Sequence, residues 1–250
     1  MEPRPDALDA SAAPDDETLD TLLGRTDIWR GRTPLPGGGD LPTGHPALDA
    51  CLGGGWPRGA LVELLTDQAG IGEVSLLLPL LAAQTAAGRH VALVAPPHIP
   101  YAPALAGAGI ALERVLVIGA QNDPEILWSL EQALGSGACG AALAWPGRAD
   151  TRALRRLQLA AERGQATGFL YRQARQARQS SPAAVRLRLA PADEGLAVQI
   201  LKRRRGWGGS VVVVPQSEQR WSPRINSNEK SKAEPQRAPR IPQRTRRKSF

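Results

Sequence analysis

From Leu41 to about Pro215 the chain alternates short, almost wholly apolar runs with segments of helical pattern, and this alternation limits the possible folds more than any other feature. The apolar runs are ALVELL, HVALVAP, RVLVIGA, CGAALAWP and TGFLYR. Between them lie GEVSLLLPLLAAQTAAGR, PYAPALAGAG, DPEILWSLEQALGSG and ADTRALRRLQLAAERG. Strands without a polar side are buried on both sides, and helices of this length return the chain for a parallel neighbour. The pattern therefore predicts an α/β domain with a mainly parallel central sheet and helices on both faces. After TGFLYR the segment AAVRLRLAPADEGLAVQILKRRRGWGGSVVVV alternates apolar and polar positions. That predicts antiparallel strands at the C-terminal edge of the sheet, two of them joined at PADEG. Two helix starts are marked, one by Asp123-Pro124 and one by Asp150, each an N-cap type of residue before a helical pattern.

The ends of the chain differ from this core in charge. The whole chain of 250 residues carries +7. Residues 1–30 hold eight acids against three bases, whereas residues 222–250 hold nine bases against two acids. We expect an acidic, largely disordered leader over 1–40, a single domain over 41–215 and a basic disordered tail over 216–250. The leader contains one amphipathic stretch, TLDTLLGRTDIWRG, in which Leu19, Leu22, Leu23 and Trp29 can form one apolar stripe. The acidic N-terminus is unlike a signal peptide, and no apolar run is long enough to span a membrane. Cys51 and Cys139 have no metal spacing, and neither do His45, His90 and His98. No metal is expected, and a reducing, cytoplasmic location suits this cysteine usage.

One turn carries the outline of a phosphate-binding loop. In LLTDQAGIGEVSLLLPLL, residues 64–81, a strand-like run leads through glycines into an apolar helix. A working loop, G-x-x-x-x-G-K-[ST], wraps backbone amides around phosphate, neutralises it with lysine and holds Mg²⁺ with a hydroxyl. Aligned on Gly72, this chain has Asp67 in place of the first glycine, with Gly70 inside the loop. Glu73 stands in place of the lysine and Val74 in place of the hydroxyl, and Ser75 comes one residue late. Two carboxylates would repel a triphosphate. The strand CGAALAWP also ends in Trp145 and Pro146 instead of a metal-binding acid. The loop is expected to be degenerate, with neither nucleotide nor another cofactor required and no catalytic residue.

The residues leading into this loop, LPTGHPALDACLGGGWPRGALVELL at 41–65, resemble the same region of the RecA/RadA/KaiC core. The matching positions are Thr43, Gly44, Leu48, Asp49, Leu52, Gly53, Gly55, Gly59 and Glu63, and the resemblance extends over roughly 41–212. Within that superfamily, GGGWPRGALVELL and QAGIGEVSLLLPLLA resemble the ImuA family of RecA-like, SulA-like proteins associated with translesion DNA synthesis, in which a GIGE loop is typical. The resemblance implies a RecA-like core and a non-catalytic accessory role in an SOS-induced mutagenesis complex. The implied partners are an ImuB-like inactive homologue of lesion-bypass polymerases and an error-prone replicative-type polymerase, with a RecA filament and single-stranded DNA as further candidates. It also makes Arg172 and Gln173 the nearest matches to a nucleotide-sensing position. Two other functions stay open: a DNA-dependent ATPase of the RecA/RadA class, and a SulA-type inhibitor of cell division.

Between Arg148 and Arg188 there are ten arginines against two acids. Candidate DNA or partner contacts are Arg152, Arg155 and Arg156 on one helix, Arg172, Arg175 and Arg178 after TGFLYR, and Lys202, Arg203, Arg204 and Arg205 near the end of the domain. Cationic side chains at this density suit phosphate contact, with Tyr171 and Trp207 as candidates for base stacking.

Overall fold

The computed structural model describes residues 40–204 and 208–215. Its chain order is α1 Pro46–Leu52, β1 Leu61–Leu65, α2 Leu78–Ala86, β2 His90–Val94, α3 Ala102–Gly107, β3 Val115–Ile118, α4 Asp123–Gly135, β4 Cys139–Ala144, α5 Thr151–Gly164, β5 Thr167–Arg172, β6 Val185–Ala192, β7 Gly195–Lys202 and β8 Val211–Pro215. The strands form one eight-stranded sheet in the order β3-β2-β4-β5-β1-β6-β7-β8. Strands β1 to β6 pair in parallel, and β7 and β8 pair antiparallel at one edge. The α/β architecture expected from the alternation is the one found. The expected leader and tail lie outside the described residues.

Every residue of β1, β4 and β5 is buried, as strands covered on both sides must be. One face of the sheet packs Val62, Leu64, Val91, Leu93, Leu143 and Phe169 against α1, α2 and the 3₁₀ turn before α2. The other packs Leu61, Ala92, Val94, Ala142 and Leu170 against α4 and α5. The period of two along β1 divides its side chains between these faces, and it puts Glu63 on the α4–α5 side with Leu61. In α5, Leu154, Leu157, Ala160 and Ala161 recur at helical spacing and are buried, leaving the arginines between them on the outer face.

Two local expectations are corrected. The N-cap of α4 is Asn122, whose side chain accepts from the Glu125 amide at 3.0 Å. Asp123 instead accepts from the amides of Gly147 and Arg148 at 2.7 and 2.9 Å, tying the start of α4 to the turn after β4. The helix expected from Gly72 onward forms its α-helical part only at Leu78, after a 3₁₀ turn at Ser75–Leu77. Pro79 sits in the first turn of that α-helix, where a missing amide costs nothing. Asp150 caps α5 as expected, accepting from the Ala153 amide at 2.7 Å.

Before β1 the chain is fixed by a single antiparallel bridge, Leu41 to Trp56, with both backbone bonds at 2.7 Å. Gly55, at φ 122°, makes this bridge possible, because a Cβ there would stand 2.2 Å from the Leu41 carbonyl oxygen. Asp49 accepts from the Thr43 amide at 2.8 Å and so holds the turn from within.

Candidate functional site

The loop after β1 is built around its own carboxylates. Gly70 and Gly72 take φ of 76° and 92°, a left-handed backbone on either side of Ile71 that turns amide groups inward. Glu73, buried among the loop and the sheet, bends back so that its Oε1 accepts from the Gly70 amide at 3.0 Å. Asp67 is exposed, and its Oδ1 accepts from the Ala174 amide at 2.9 Å, fastening the loop to the segment after β5. Val74 turns into the core on the α1–α2 face, while Ser75 is exposed and opens the 3₁₀ turn. The two carboxylates that sequence reading set against a triphosphate thus each accept from a backbone amide.

Tyr171 and Trp145 close one side of this loop. Their rings stack in parallel, 4.7 Å between centroids, and the Tyr171 hydroxyl donates to the Glu73 carbonyl at 3.0 Å. Tyr171 is buried and cannot offer its face to a base, so the expected stacking role is corrected. Burial pushes its hydroxyl well above the ordinary value of 10.0, and the nearby Glu73 carboxylate adds to the push. The folded chain therefore keeps this proton where the unfolded chain releases it. The stabilisation is complete below about pH 10 and is lost as pH rises from there toward the folded value. Wild-type protein should lose stability above that point more steeply than Tyr171→Phe, a variant costing about 1 kcal/mol at neutral pH through the lost hydrogen bond. Denaturant melts across an alkaline pH series check this, and equal slopes would contradict it.

Beside the loop lies a buried ionic cluster that sequence reading missed. Glu63 is fully buried in central strand β1. Its Oε1 accepts from Arg172 Nη1 at the end of β5, and its Oε2 accepts from Arg186 Nε on β6 at 2.6 Å. Arg172 also donates to the Ala149 carbonyl at 2.8 Å and to the Gln176 side chain at 3.3 Å. Arg186 donates to the carbonyls of Gln176, Ala177 and Gln179 at 2.8, 3.2 and 2.9 Å. One carboxylate and five acceptor contacts thus disperse two guanidinium charges, and the segment 173–179 is held against the sheet by them. Arg172 is therefore corrected as a contact candidate: it is structural and only 7% exposed. The signal available in the sequence was a single acid within one apolar strand, one arginine ending another and two arginines, Arg186 and Arg188, in a third.

The remaining candidates separate into two groups. Arg152 and Arg155 on α5 are exposed, and so are Arg175 and Arg178 on the 3₁₀ turn Ala174–Arg178. Because β4 and β5 are parallel neighbours, with Ala144 beside Leu170, the segments that follow them leave the same end of the sheet. These four arginines, with Arg148, share that end. Arg156 is paired with Glu131 of α4, with its Nε 3.0 Å from the carboxylate. Lys202 is exposed and donates to the Ser181 carbonyl at 3.0 Å; partial burial, with Arg186 adding to it, lowers its ammonium pKa below the ordinary 10.5. Arg203 is half-buried and donates to the Cys51 carbonyl at 2.7 Å, whereas Arg204 is exposed. Arg205 and Trp207 lie outside the described residues. Among the described residues, no three His, Cys, Asp or Glu side chains gather as a metal site, and no helix is long and apolar enough to cross a membrane.

Comparisons with known proteins give three similarities. The family model described as cell division inhibitor SulA matches residues 59–168, the stretch from just before β1 into β5. Protein ImuA of Caulobacter vibrioides strain NA1000 / CB15N is 36% identical over 138 residues, covering 53% of this chain and 55% of that protein. Protein ImuA of the strain ATCC 19089 / CIP 103742 / CB 15 matches with the same figures. The chain spans about half the length of these curated relatives. A crystal structure of SulA from Pseudomonas aeruginosa is similar at 27% identity and a TM-score of 0.38, covering 45% of this chain and 97% of that one. With its GIGE loop at 70–73 and 36% identity over about half of its length, the chain is similar to protein ImuA.

Proposed function

We propose that this protein is a non-catalytic, RecA-like accessory factor that supports error-prone translesion DNA synthesis within an SOS-induced mutagenesis complex. The kinship with protein ImuA supports the general role. The observation that carries the non-catalytic part is the hydrogen bond from the Gly70 amide to the Glu73 carboxylate. A phosphate-binding loop offers its inward amides to phosphate oxygens and sets a lysine beside them. Here an internal anion takes such an amide, and the residue at the lysine position is that anion. An incoming phosphate would have to displace a buried carboxylate of the same charge. The metal ligands are also missing, since Val74 faces the core and β4 continues into Trp145.

In this reading the protein works by contact. An ImuB-like inactive polymerase homologue is its principal partner, with an error-prone replicative-type polymerase performing the chemistry. The exposed arginines Arg148, Arg152, Arg155, Arg175 and Arg178 at one end of the sheet supply the surface for DNA phosphate or for a RecA filament. The segment carrying Arg175 and Arg178 is bonded to the loop through Asp67 and Ala174, and a DNA-dependent ATPase is the second reading. Purified protein should hydrolyse no ATP above a no-protein control, with or without single-stranded DNA, and Glu73→Lys should not be required for any activity of the natural chain. DNA-stimulated hydrolysis by the wild-type protein would overturn the non-catalytic reading. The SulA-type match to residues 59–168 is compatible with a third function, inhibition of cell division, which needs neither the exposed arginines nor DNA.

A further inference from the structure

Among the described residues, one face of the sheet is not covered over its whole width. On the α4–α5 side the helices stop short of the antiparallel strands. The rows Arg188–Gln199–Val211 and Ala190–Ala197–Val213 run across β6, β7 and β8 on that side. Val211 is 61% exposed and Val213 45% exposed, and Arg188 and Ala190 are exposed beside them. β8 ends the sheet, so its outer edge is unpaired among the described residues. A valine-rich edge strand with one bare face invites pairing with another chain unless something covers it. On the opposite face Val214 is buried and Val212 partly buried against the cluster that holds Leu41, Leu48 and Leu52, so α1 covers that side.

The chain has a segment of the right chemistry starting at the right place. Asp40 is the first described residue, and it stands beside Gly54, just after α1, the helix that packs on β8. Nine residues, 31–39, separate it from Arg30, and extended they reach about 30 Å, enough to round the edge of a strand. Before them come Leu19, Leu22 and Leu23 at helical spacing, among the acids Asp16, Glu17, Asp20 and Asp27 and one base, Arg25. The bare face is rimmed by exposed cations, Arg188, Lys202 and Arg204; its acids, Asp193 and Glu194, lie at the hairpin tip, at the far end of β7 from Lys202. The basic tail starts nearer, at 216, but it carries the wrong charge for this rim and has no comparable apolar stripe.

We propose that the leader segment 16–27 docks on the uncovered face of β6–β8 of its own chain, with Leu19, Leu22 and Leu23 over Val211 and Val213 and its acids toward Arg188, Lys202 and Arg204. The segment completes the second layer that helices supply over the rest of the sheet, and it shields the β8 edge from other chains. This inference is independent of the proposed function.

Cysteine pairs in the full-length chain test it, in a Cys51→Ser background; the other native cysteine, Cys139, is buried. Under mild oxidation, Leu22→Cys with Val213→Cys should form an intramolecular disulfide in most molecules. Leu22→Cys with Val117→Cys, a somewhat more exposed position on the opposite edge strand β3, should form severalfold less. Adding Leu19→Asp and Leu23→Asp should abolish the preference for position 213. Equal yields at the two edges, a preference for position 117, or disulfide-linked dimers in place of the intramolecular product would each overturn the proposal.

Discussion

Glu63→Ala should destabilise the protein by about 3–5 kcal/mol, the range expected when one partner of a buried ionic cluster is removed. The side chain is fully buried and, among the described residues, is the only carboxylate bonded to Arg172 and Arg186. Without it, two guanidinium groups stay in the interior with only carbonyl and amide oxygens to accept from them, and neither can shed its proton. Glu63→Gln keeps the shape and should recover little, because the missing quantity is charge. Replacing all three residues by leucine should recover much more than Glu63→Gln does, since apolar substitution of a whole buried cluster avoids the desolvation cost. Urea unfolding of the four proteins measures this series. A loss below about 1 kcal/mol in Glu63→Ala would show that the cluster is solvated and that the burial described here is wrong. The variant should also loosen residues 173–179, whose carbonyls Arg186 holds, and with them Arg175 and Arg178.

The second large effect is expected at Trp56. Its side chain is fully buried and meets Phe169 edge-on, with ring centroids 5.2 Å apart and planes at 90°. It also belongs to the cluster that holds Leu41, Leu48 and Leu52, so it fastens the segment before β1 to the sheet. Trp56→Ala should cost about 3–5 kcal/mol through lost burial and the cavity left behind. Trp56→Phe should cost about 1 kcal/mol, because the aromatic contact is kept and the indole Nε1 makes no hydrogen bond to a described residue. If both variants were equally destabilised, the indole nitrogen would have a role the packing does not reveal. Thermal or urea melts of the pair distinguish the outcomes.

The strands and helices were legible as elements along the chain because buried parallel strands and amphipathic helices leave different periods in the sequence. LVELL, HVALV, VLVI, CGAALA and TGFLYR each became a strand where the apolar run stands. The loop at 66–75 was legible as an element and as a set of missing groups. What its carboxylates do instead was not, because Asp67 bonds to a residue 107 positions away. The same distance in sequence hid the ionic cluster. Glu63 is 109 positions from Arg172 and 123 from Arg186, and only the order β5-β1-β6 brings them side by side. Arg172 illustrates the limit well: in sequence it is one more arginine in a basic run, and in the fold it is a counter-ion. At the start of α4, two adjacent residues both had capping chemistry, and a tertiary contact to Gly147 and Arg148 decided between them.

In the proposed function, the loop after β1 is closed by its own Glu73, which accepts from the Gly70 amide, and the protein acts through contact surfaces. The most direct test is to delete the gene and measure DNA-damage-induced mutation frequency, scoring cell filamentation in the same cultures. Induced mutagenesis should fall while filamentation stays normal, and a Glu73→Gln copy, which keeps the acceptor of the Gly70 amide, should restore mutagenesis. Unchanged mutagenesis with lost filamentation would contradict the proposed function and leave a division inhibitor as the function.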